Sequence, residues 1–263
     1  MSEPAIEVEN LTFSIGQNCI LRNVSMIAED GDSVSIIGPN GAGKTTLLKC
    51  IDKILTGAEG TIRVRGKNIK KYSQKALAKI ISYVPQNSGK ALPFTVREFV
   101  MMGRYPHLSP FSTITQKDEQ VVDDVLELTR ISQFAERYLA TLSGGERQSV
   151  LIAGALAQEA EILLLDEPTT FLDYKHQADV QKLLHRINKQ RGVTTVSVTH
   201  DINMAAMLSE RIVAIKAGEV IFSGTGTELM NNETLGAIYD RSFLFTSHPQ
   251  TGQQIVIPQE INQ

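Results

Sequence analysis

The run Gly38-Pro39-Asn40-Gly41-Ala42-Gly43-Lys44-Thr45 constrains this chain more than any other stretch, because it carries the spacing G-x-x-x-x-G-K-[ST]. It follows the apolar segment Ser33-Val34-Ser35-Ile36-Ile37. After it, Leu47, Leu48, Ile51, Ile54 and Leu55 recur at helical spacing, with Gly57 as a C-terminal cap. Strand, glycine loop and helix in that order make a phosphate cradle. The glycines let backbone N–H groups curl round a β-phosphate without Cβ clashes, and the helix offers its positive N-terminus to the anion. Gly38 to Thr45, with Thr46 behind them, therefore form the expected ATP-binding loop. Lys44 reaches β- and γ-phosphate oxygens as a point charge, and the Thr45 hydroxyl ligates Mg²⁺.

A second apolar strand, Ile162-Leu163-Leu164-Leu165, ends in Asp166-Glu167-Pro168. Paired acids at a strand end are often only a solvated turn. Coupled to the phosphate loop they take on separate roles: Asp166 holds Mg²⁺ through its water shell, and Glu167 polarises the attacking water.

The 263 residues are 42% hydrophobic, enough for a buried core, and the formal charge of -3 gives no global attraction to nucleic acid or anionic lipid. The two cysteines, Cys19 and Cys50, stand far apart without ligand-spaced neighbours, so two buried thiols are expected rather than a disulfide or zinc site. Met1-Ser2-Glu3-Pro4 lacks the basic start of a secretory leader, and no apolar run approaches the roughly 20 residues of a membrane span. A cytoplasmic location is expected, with any membrane function supplied by a partner.

Along the chain, Ile6 to Ile37 reads as short strands: Ile6-Glu7-Val8, Leu11-Thr12-Phe13, Ile20-Leu21, Val24-Ser25-Met26 and the run into the loop. Helical patterns follow at Gln116 to Arg130, Glu146 to Gln158 and Ala178 to Gln190. Strands are expected at Ile162 to Asp166 and Val193 to Thr199. A closing hairpin joins Arg211 to Lys216 with Glu219 to Ser223 through Ala217-Gly218. The alternation predicts an α/β fold with a largely parallel sheet, interrupted between Gln86 and Ser143 by a helical insertion.

Leu142-Ser143-Gly144-Gly145-Glu146-Arg147-Gln148 closely resembles the signature of the ABC ATPases. Taken alone, Ser-Gly-Gly is a common helix N-cap. The resemblance implies that Ser143, Gly144, Gly145, Glu146 and Gln148 meet the ATP held by an opposite subunit. It also implies further roles: Gln86 as the glutamine touching Mg²⁺ or water, Asp173 as a dimer-contact aspartate and His200 as a switch histidine bonding the γ-phosphate. Each has a plainer alternative: a surface amide, a helix-capping acid, a structural histidine at a strand end.

The implied fold is a P-loop NTPase (RecA-like) core with an N-terminal antiparallel β-subdomain and an inserted α-helical subdomain. The implied division is a core of residues 1–86 and 160–240, a helical subdomain of 87–159 and a tail of 241–263. The implied activity is ATP hydrolysis driving transport from the cytoplasmic face of the membrane. Its partners would be a second copy of the chain, an integral membrane permease and an extracytoplasmic substrate-binding protein, with no nucleic acid. Thr95-Val96-Arg97-Glu98 continuing to Gly103-Arg104-Tyr105-Pro106-His107, then Glu167-Pro168-Thr169-Thr170-Phe171-Leu172-Asp173, and then His200-Asp201-Ile202-Asn203 resemble the importers of iron-siderophore, haem and cobalamin type. A soluble ABC ATPase acting on nucleic acid or ribosomes is the alternative; a P-loop kinase leaves Ser143 to Gln148 unexplained.

Three positions depart from the family. Ile15 stands where relatives carry an adenine-stacking aromatic, with Phe13 two residues away, and Ser149 and Gly154 replace arginines.

Overall fold

A computed structural model of the chain describes residues 3–86, 93–109 and 113–257. The first stretch runs β1 (Ile6–Ile15), β2 (Asn18–Ala28), β3 (Ser33–Ile37), α1 (Lys44–Ile51), β4 (Glu59–Val64) and β5 (Lys67–Asn68). The middle carries α2 (Gln74–Leu77), β6 (Ile81–Val84), α3 (Val96–Met102), α4 (Gln116–Leu128), α5 (Gly144–Leu156), β7 (Ile162–Asp166) and α6 (Tyr174–Arg191). The last stretch holds β8 (Thr194–Val198), α7 (Ile202–Leu208), β9 (Arg211–Lys216) and β10 (Glu219–Gly224). It closes with α8 (Gly226–Leu229), α9 (Asn232–Tyr239), β11 (Leu244–Ser247) and β12 (Gln254–Ile257). Packing divides these into two units, one from Met1–Ile69 with Thr194–Gln263 and one from Lys70–Val193.

In the first unit, β2, β1, β4 and β5 form an antiparallel sheet. The expected short strands at its start are two long ones. Asn10 and Asn23 adopt positive φ, 50° and 51°, at irregularities in the pairing of β1 with β2. Asparagine tolerates this backbone, so the strands bend rather than end. Ser25 Oγ accepts from the Asn10 amide at 2.9 Å, and Thr12 Oγ1 accepts from the Asn23 amide at 3.1 Å, so neither bulge leaves a donor unmet.

The second sheet of this unit centres on β3, which pairs in parallel with both β8 and β9, while β10 pairs antiparallel with β9 as the Ala217-Gly218 turn predicts. Val34, Ser35, Ile36 and Ile37 alternate between the two faces of the sheet and are all buried, so both faces of β3 are covered and the strand reads as a nearly continuous apolar run. β3 is thereby a rigid stem for the loop that follows. α1 ends at Ile51 rather than at Gly57: Lys53 takes the left-handed turn at φ 58°, and the Ile54 amide returns to the Lys49 carbonyl at 2.9 Å. Cys50 is buried, which pushes its thiol up to about 11, whereas Cys19, the second residue of β2, is only half-buried.

In the second unit β6 and β7 run parallel, Ile81 opposite Ile162 through Val84 opposite Leu165. α3, α4, α5 and α6 share one apolar core that includes Val100, Val125, Ile152 and Ile187. α5 and α6 start earlier than their apolar periodicity predicts because Ser143 and Asp173 cap them. Arg104 is buried at the centre of a polar knot: its Nε donates to Asp118 at 3.0 Å, and its Nη1 donates to the Ala157 carbonyl and to Glu159, both at 2.7 Å. Residues 87–92, where the expected helical insertion begins, and 258–263 of the expected tail lie outside the described residues.

Candidate functional site

The glycine loop leaves β3 through Gly38 at φ 137°, a conformation closed to L side chains, and a Cβ there would stand 2.0 Å from the Ile215 carbonyl oxygen of β9. Gly43, at φ 103°, lies so close to β2 that a Cβ would meet Leu21 Cδ2 at 2.8 Å. The loop is thus pressed between its own sheet and β2. Lys44 opens α1, is buried, and donates from Nζ to the Gly38 and Pro39 carbonyls at 2.8 and 2.9 Å. The ammonium is held across the mouth of the loop, where phosphate oxygens can take over these bonds.

Among the described residues, every other α-helix has a side-chain N-cap: Ser73, Thr95, Thr115, Ser143, Asp173, Asp201, Thr225 and Asn231. Only α1 has none, since its N-cap is Gly43. No side chain terminates its first turn, so its positive end is presented to an anion. Thr45 and Thr46 follow in this first turn, both half-buried.

The second unit holds the acids. Asp166 is the buried last residue of β7, and Tyr83, on the adjacent β6, donates its hydroxyl to Asp166 Oδ2 at 2.9 Å. Glu167 follows at φ 52°, unusual for a non-glycine residue and a sign of stored backbone strain. Its Oε2 accepts from Gln86 Nε2 at 2.8 Å and from Thr170 Oγ1 at 3.0 Å. Gln86 and Glu167 are thus brought together, and the Gln86 side-chain oxygen remains as an acceptor for a water or cation. The sequence pattern does not single out Tyr83 or Thr170. Each lies three residues from a member of the pair, inside Tyr83-Val84-Pro85-Gln86 and Glu167-Pro168-Thr169-Thr170, and that proximity is the only signal pointing to them.

The Ser143 motif forms the N-terminus of α5. Ser143 Oγ accepts from the Glu146 amide at 3.3 Å and Glu146 Oε2 accepts from the Ser143 amide at 2.8 Å. That backbone bond to Ser143 holds the Glu146 carboxyl below its usual range. Gly144 is open, with nothing within 4 Å of where a Cβ would stand, whereas a Cβ on Gly145 would strike His176 Cδ2 at 2.3 Å. His176 in turn donates its amide to Asp173 Oδ1 at 2.9 Å and sets its Nδ1 2.8 Å from the same oxygen. Asp173 caps α6 and Ser143 caps α5, so both have the plainer structural use, and His176 ties the two helix starts together. Gln148 is buried on α5, and its Nε2 has no hydrogen-bond partner among the described residues.

His200 is exposed between β8 and the Asp201 cap of α7. Ile15 is 58% exposed at the tip of β1, available for apolar contact with a base. Phe13 is not available, because alternation along β1 turns it into the core.

Residues 21–170 match the ABC transporter family. The iron(3+)-hydroxamate import ATP-binding protein FhuC of Bacillus subtilis is 37% identical over 257 residues, 98% of this chain and 96% of that protein. The ferric enterobactin transport ATP-binding protein FepC of Escherichia coli is 37% identical over 95% of this chain and 92% of its own. The chain belongs to the ABC transporter family. It is the ATP-binding, ATP-hydrolysing subunit. Among solved structures, the ATP-binding cassette MJ0796, dimeric and bound to ADP and Pi, is 31% identical with a TM-score of 0.72 over 84% of this chain and 98% of that one.

Within the ABC transporter family the substitution at Gly154 has a packing reason here. A Cβ on Gly154 would lie 2.9 Å from Phe99 Cε1, and one on Gly103 would lie 2.2 Å from the Gly154 carbonyl oxygen. α3 and α5 therefore approach too closely for an arginine at 154. Ser149 Oγ donates back to the Gly145 carbonyl at 3.2 Å, a local bond within the signature helix of the ABC transporter subunit.

Proposed function

We propose that this subunit energises import of a chelated-iron or corrinoid cargo through a separate membrane permease, working as a pair of identical chains at the cytoplasmic face. A substrate-binding protein on the far side would deliver the cargo. The observation that carries the cargo reading is the near end-to-end similarity to import subunits named for ferric hydroxamate and ferric enterobactin.

In this reading Gly38 to Thr46 cradle the triphosphate, with the uncapped start of α1 receiving its negative charge. Lys44 exchanges its loop carbonyls for β- and γ-phosphate oxygens. Thr45, Gln86 and Asp166 hold Mg²⁺. That donor set, hydroxyl, amide oxygen and carboxylate, suits a small hard cation that keeps waters and substrate phosphates as its remaining ligands. When bound, the cation neutralises charge developing between the β- and γ-phosphates.

Glu167 polarises the attacking water, held in line by Gln86 and Thr170, and His200 bonds the γ-phosphate. Ser143, Gly144, Gly145, Glu146 and Gln148 of the partner copy close over the same nucleotide, and Asp173 joins the dimer contact. The helical part of 87–159 passes closure from the core of 1–86 and 160–240 to the permease, leaving 241–263 as a tail.

Uptake of radiolabelled ferric siderophores and cobalamin in cells deleted for this chain tests the cargo. Restoration by the wild-type gene and not by Glu167→Gln is expected. Normal uptake of every such cargo in the deletion strain would overturn the reading.

A further inference from the structure

α7 has seven residues, Ile202–Leu208, and only Ala205 among them is buried. A helix of that length does not hold itself in water, so tertiary contacts must fix where it points. One of these is unusual. Asn203 Nδ2 donates to the Val256 carbonyl at 3.0 Å, and Asn203 Oδ1 accepts from the Val256 amide at 2.7 Å. Both polar ends of one side chain are thus spent on the main chain of one residue, as a neighbouring strand would spend them.

Val256 is the third residue of β12, whose antiparallel partner β11 sets Phe245 opposite it. Phe245 and Val256 pack on a core containing Ile37, Ala205 and Leu235, so the hairpin is anchored as well as paired. The same C-terminal segment reaches the stem of the phosphate loop. Tyr239 packs on the same core as Ile37, the last residue of β3 before the loop, and burial pushes its hydroxyl up to about 12. Tyr239 also packs edge-on against Phe243, at 5.9 Å between ring centroids, immediately before the hairpin. The segment therefore packs on the core beneath the residue that precedes the loop at one end and, through Asn203, holds the helix that begins two residues after His200 at the other.

We propose that Asn203 is a positioning residue for His200, and that the C-terminal hairpin, acting through it, sets where the His200 ring meets the γ-phosphate. His200 precedes the Asp201 cap directly, so a shift of α7 along or about its axis carries the imidazole with it. An error of about 1 Å in such a contact is enough to slow turnover severely. The proposal rests on the γ-phosphate role given to His200 above.

A double-mutant cycle on the full-length chain tests it, reading phosphate release and ATP affinity together. Asn203→Ala should lower kcat about tenfold while leaving the ATP dissociation constant within about twofold. In a His200→Ala background the same substitution should cost nothing further, because the contact it serves is already gone. Asn203→Asp keeps the size and the acceptor for the Val256 amide but loses the donor, so its kcat should fall between the two. If Asn203→Ala does not fold, as judged by circular dichroism, Asn203→Asp runs the same cycle. A kcat within twofold of wild type, or a loss that multiplies with that of His200→Ala, would overturn the coupling of Asn203 to His200. Wild-type turnover in His200→Ala alone would instead remove the histidine's role, and the proposal with it.

Discussion

Gln86 donates its side-chain amide to Glu167 at 2.8 Å, joining two residues 81 positions apart in sequence. The same carboxylate oxygen accepts from Thr170, so two donors fix the group that faces the nucleotide's reactive end in the mechanism proposed above. Glu167→Gln keeps one oxygen that can accept from both donors, replaces the other by an NH2 group and removes the negative charge. Hydrolysis should fall roughly 10²- to 10⁴-fold while ATP still binds. Phosphate release at wild-type rate would sink the assignment, and light scattering should find an ATP-bound dimer in this variant.

Lys44→Ala removes the cation held at the mouth of the loop. Loss of charge-assisted bonds worth about 1.5–3 kcal/mol should weaken ATP binding about 10- to 100-fold. Calorimetry with an unchanged dissociation constant would take Lys44 out of the site.

Ser143→Arg puts bulk and positive charge beside the open Gly144 while α1 and its loop stay intact. Hydrolysis should stop with ATP binding to the single chain nearly unchanged. Mixing this variant with Lys44→Ala should restore partial hydrolysis, since one of two composite sites then has both motifs whole. No recovery on mixing would count against sites shared between copies.

Arg104 is the stability test. Its side chain is 2% exposed and its guanidinium serves Asp118, Ala157 and Glu159 together, so Arg104→Ala leaves a buried carboxylate without its cation. A loss of about 3–5 kcal/mol is expected by urea unfolding. The Asp118 carboxyl is held down at about 2, chiefly by the Thr115 hydroxyl and then by the Thr115 amide, with Arg104 adding to the effect. Its folded pKa lies below its unfolded one. The stabilisation is therefore present above about pH 4 and drains away as the pH falls toward 2, which acid titrations of wild type and Thr115→Val should separate.

Asp52 carries the opposite sign. Burial at the end of α1 pushes its carboxyl up from 3.8 to about 7. The folded chain then binds more protons than the unfolded one between these values, so stability falls as pH rises across that window. Asp52→Asn should raise the melting temperature at pH 8, with the gain shrinking toward pH 4. A pH-independent difference would remove the effect.

The parts of the fold that are legible in sequence are those whose burial is symmetrical. β3 and β7 read as apolar runs because side chains on both their faces are buried, and the glycine loop between β3 and α1 has a spacing that few other structures need. The strands β1 and β2 read as shorter than they are because Asn10 and Asn23 look like turn residues, and only cross-strand hydroxyls reveal that they are bulges. α7 and the tail hairpin are illegible for a different reason: Asn203 and Val256 are 53 residues apart, and a short helix stabilised by such a contact leaves no periodicity. The same holds for Tyr83, whose bond to Asp166 spans 83 residues. Ser143 and Asp173 stand out as family positions, and their capping bonds follow from residue type alone, but the His176 link between them follows from neither.

The missing cap on α1 carries a thermodynamic consequence. Eight described helices bring their own terminator, and α1, with Gly43 at its N-cap, does not. On the function proposed above, the triphosphate supplies that terminator from outside, so nucleotide binding and the stability of the chain are linked. Ligand at 100 times its dissociation constant adds about 2.7 kcal/mol to any fold that binds it only when native. On that reading a cell that keeps nucleotide far above its dissociation constant adds to the stability of the chain, and nucleotide-free buffer lowers its resistance to heat.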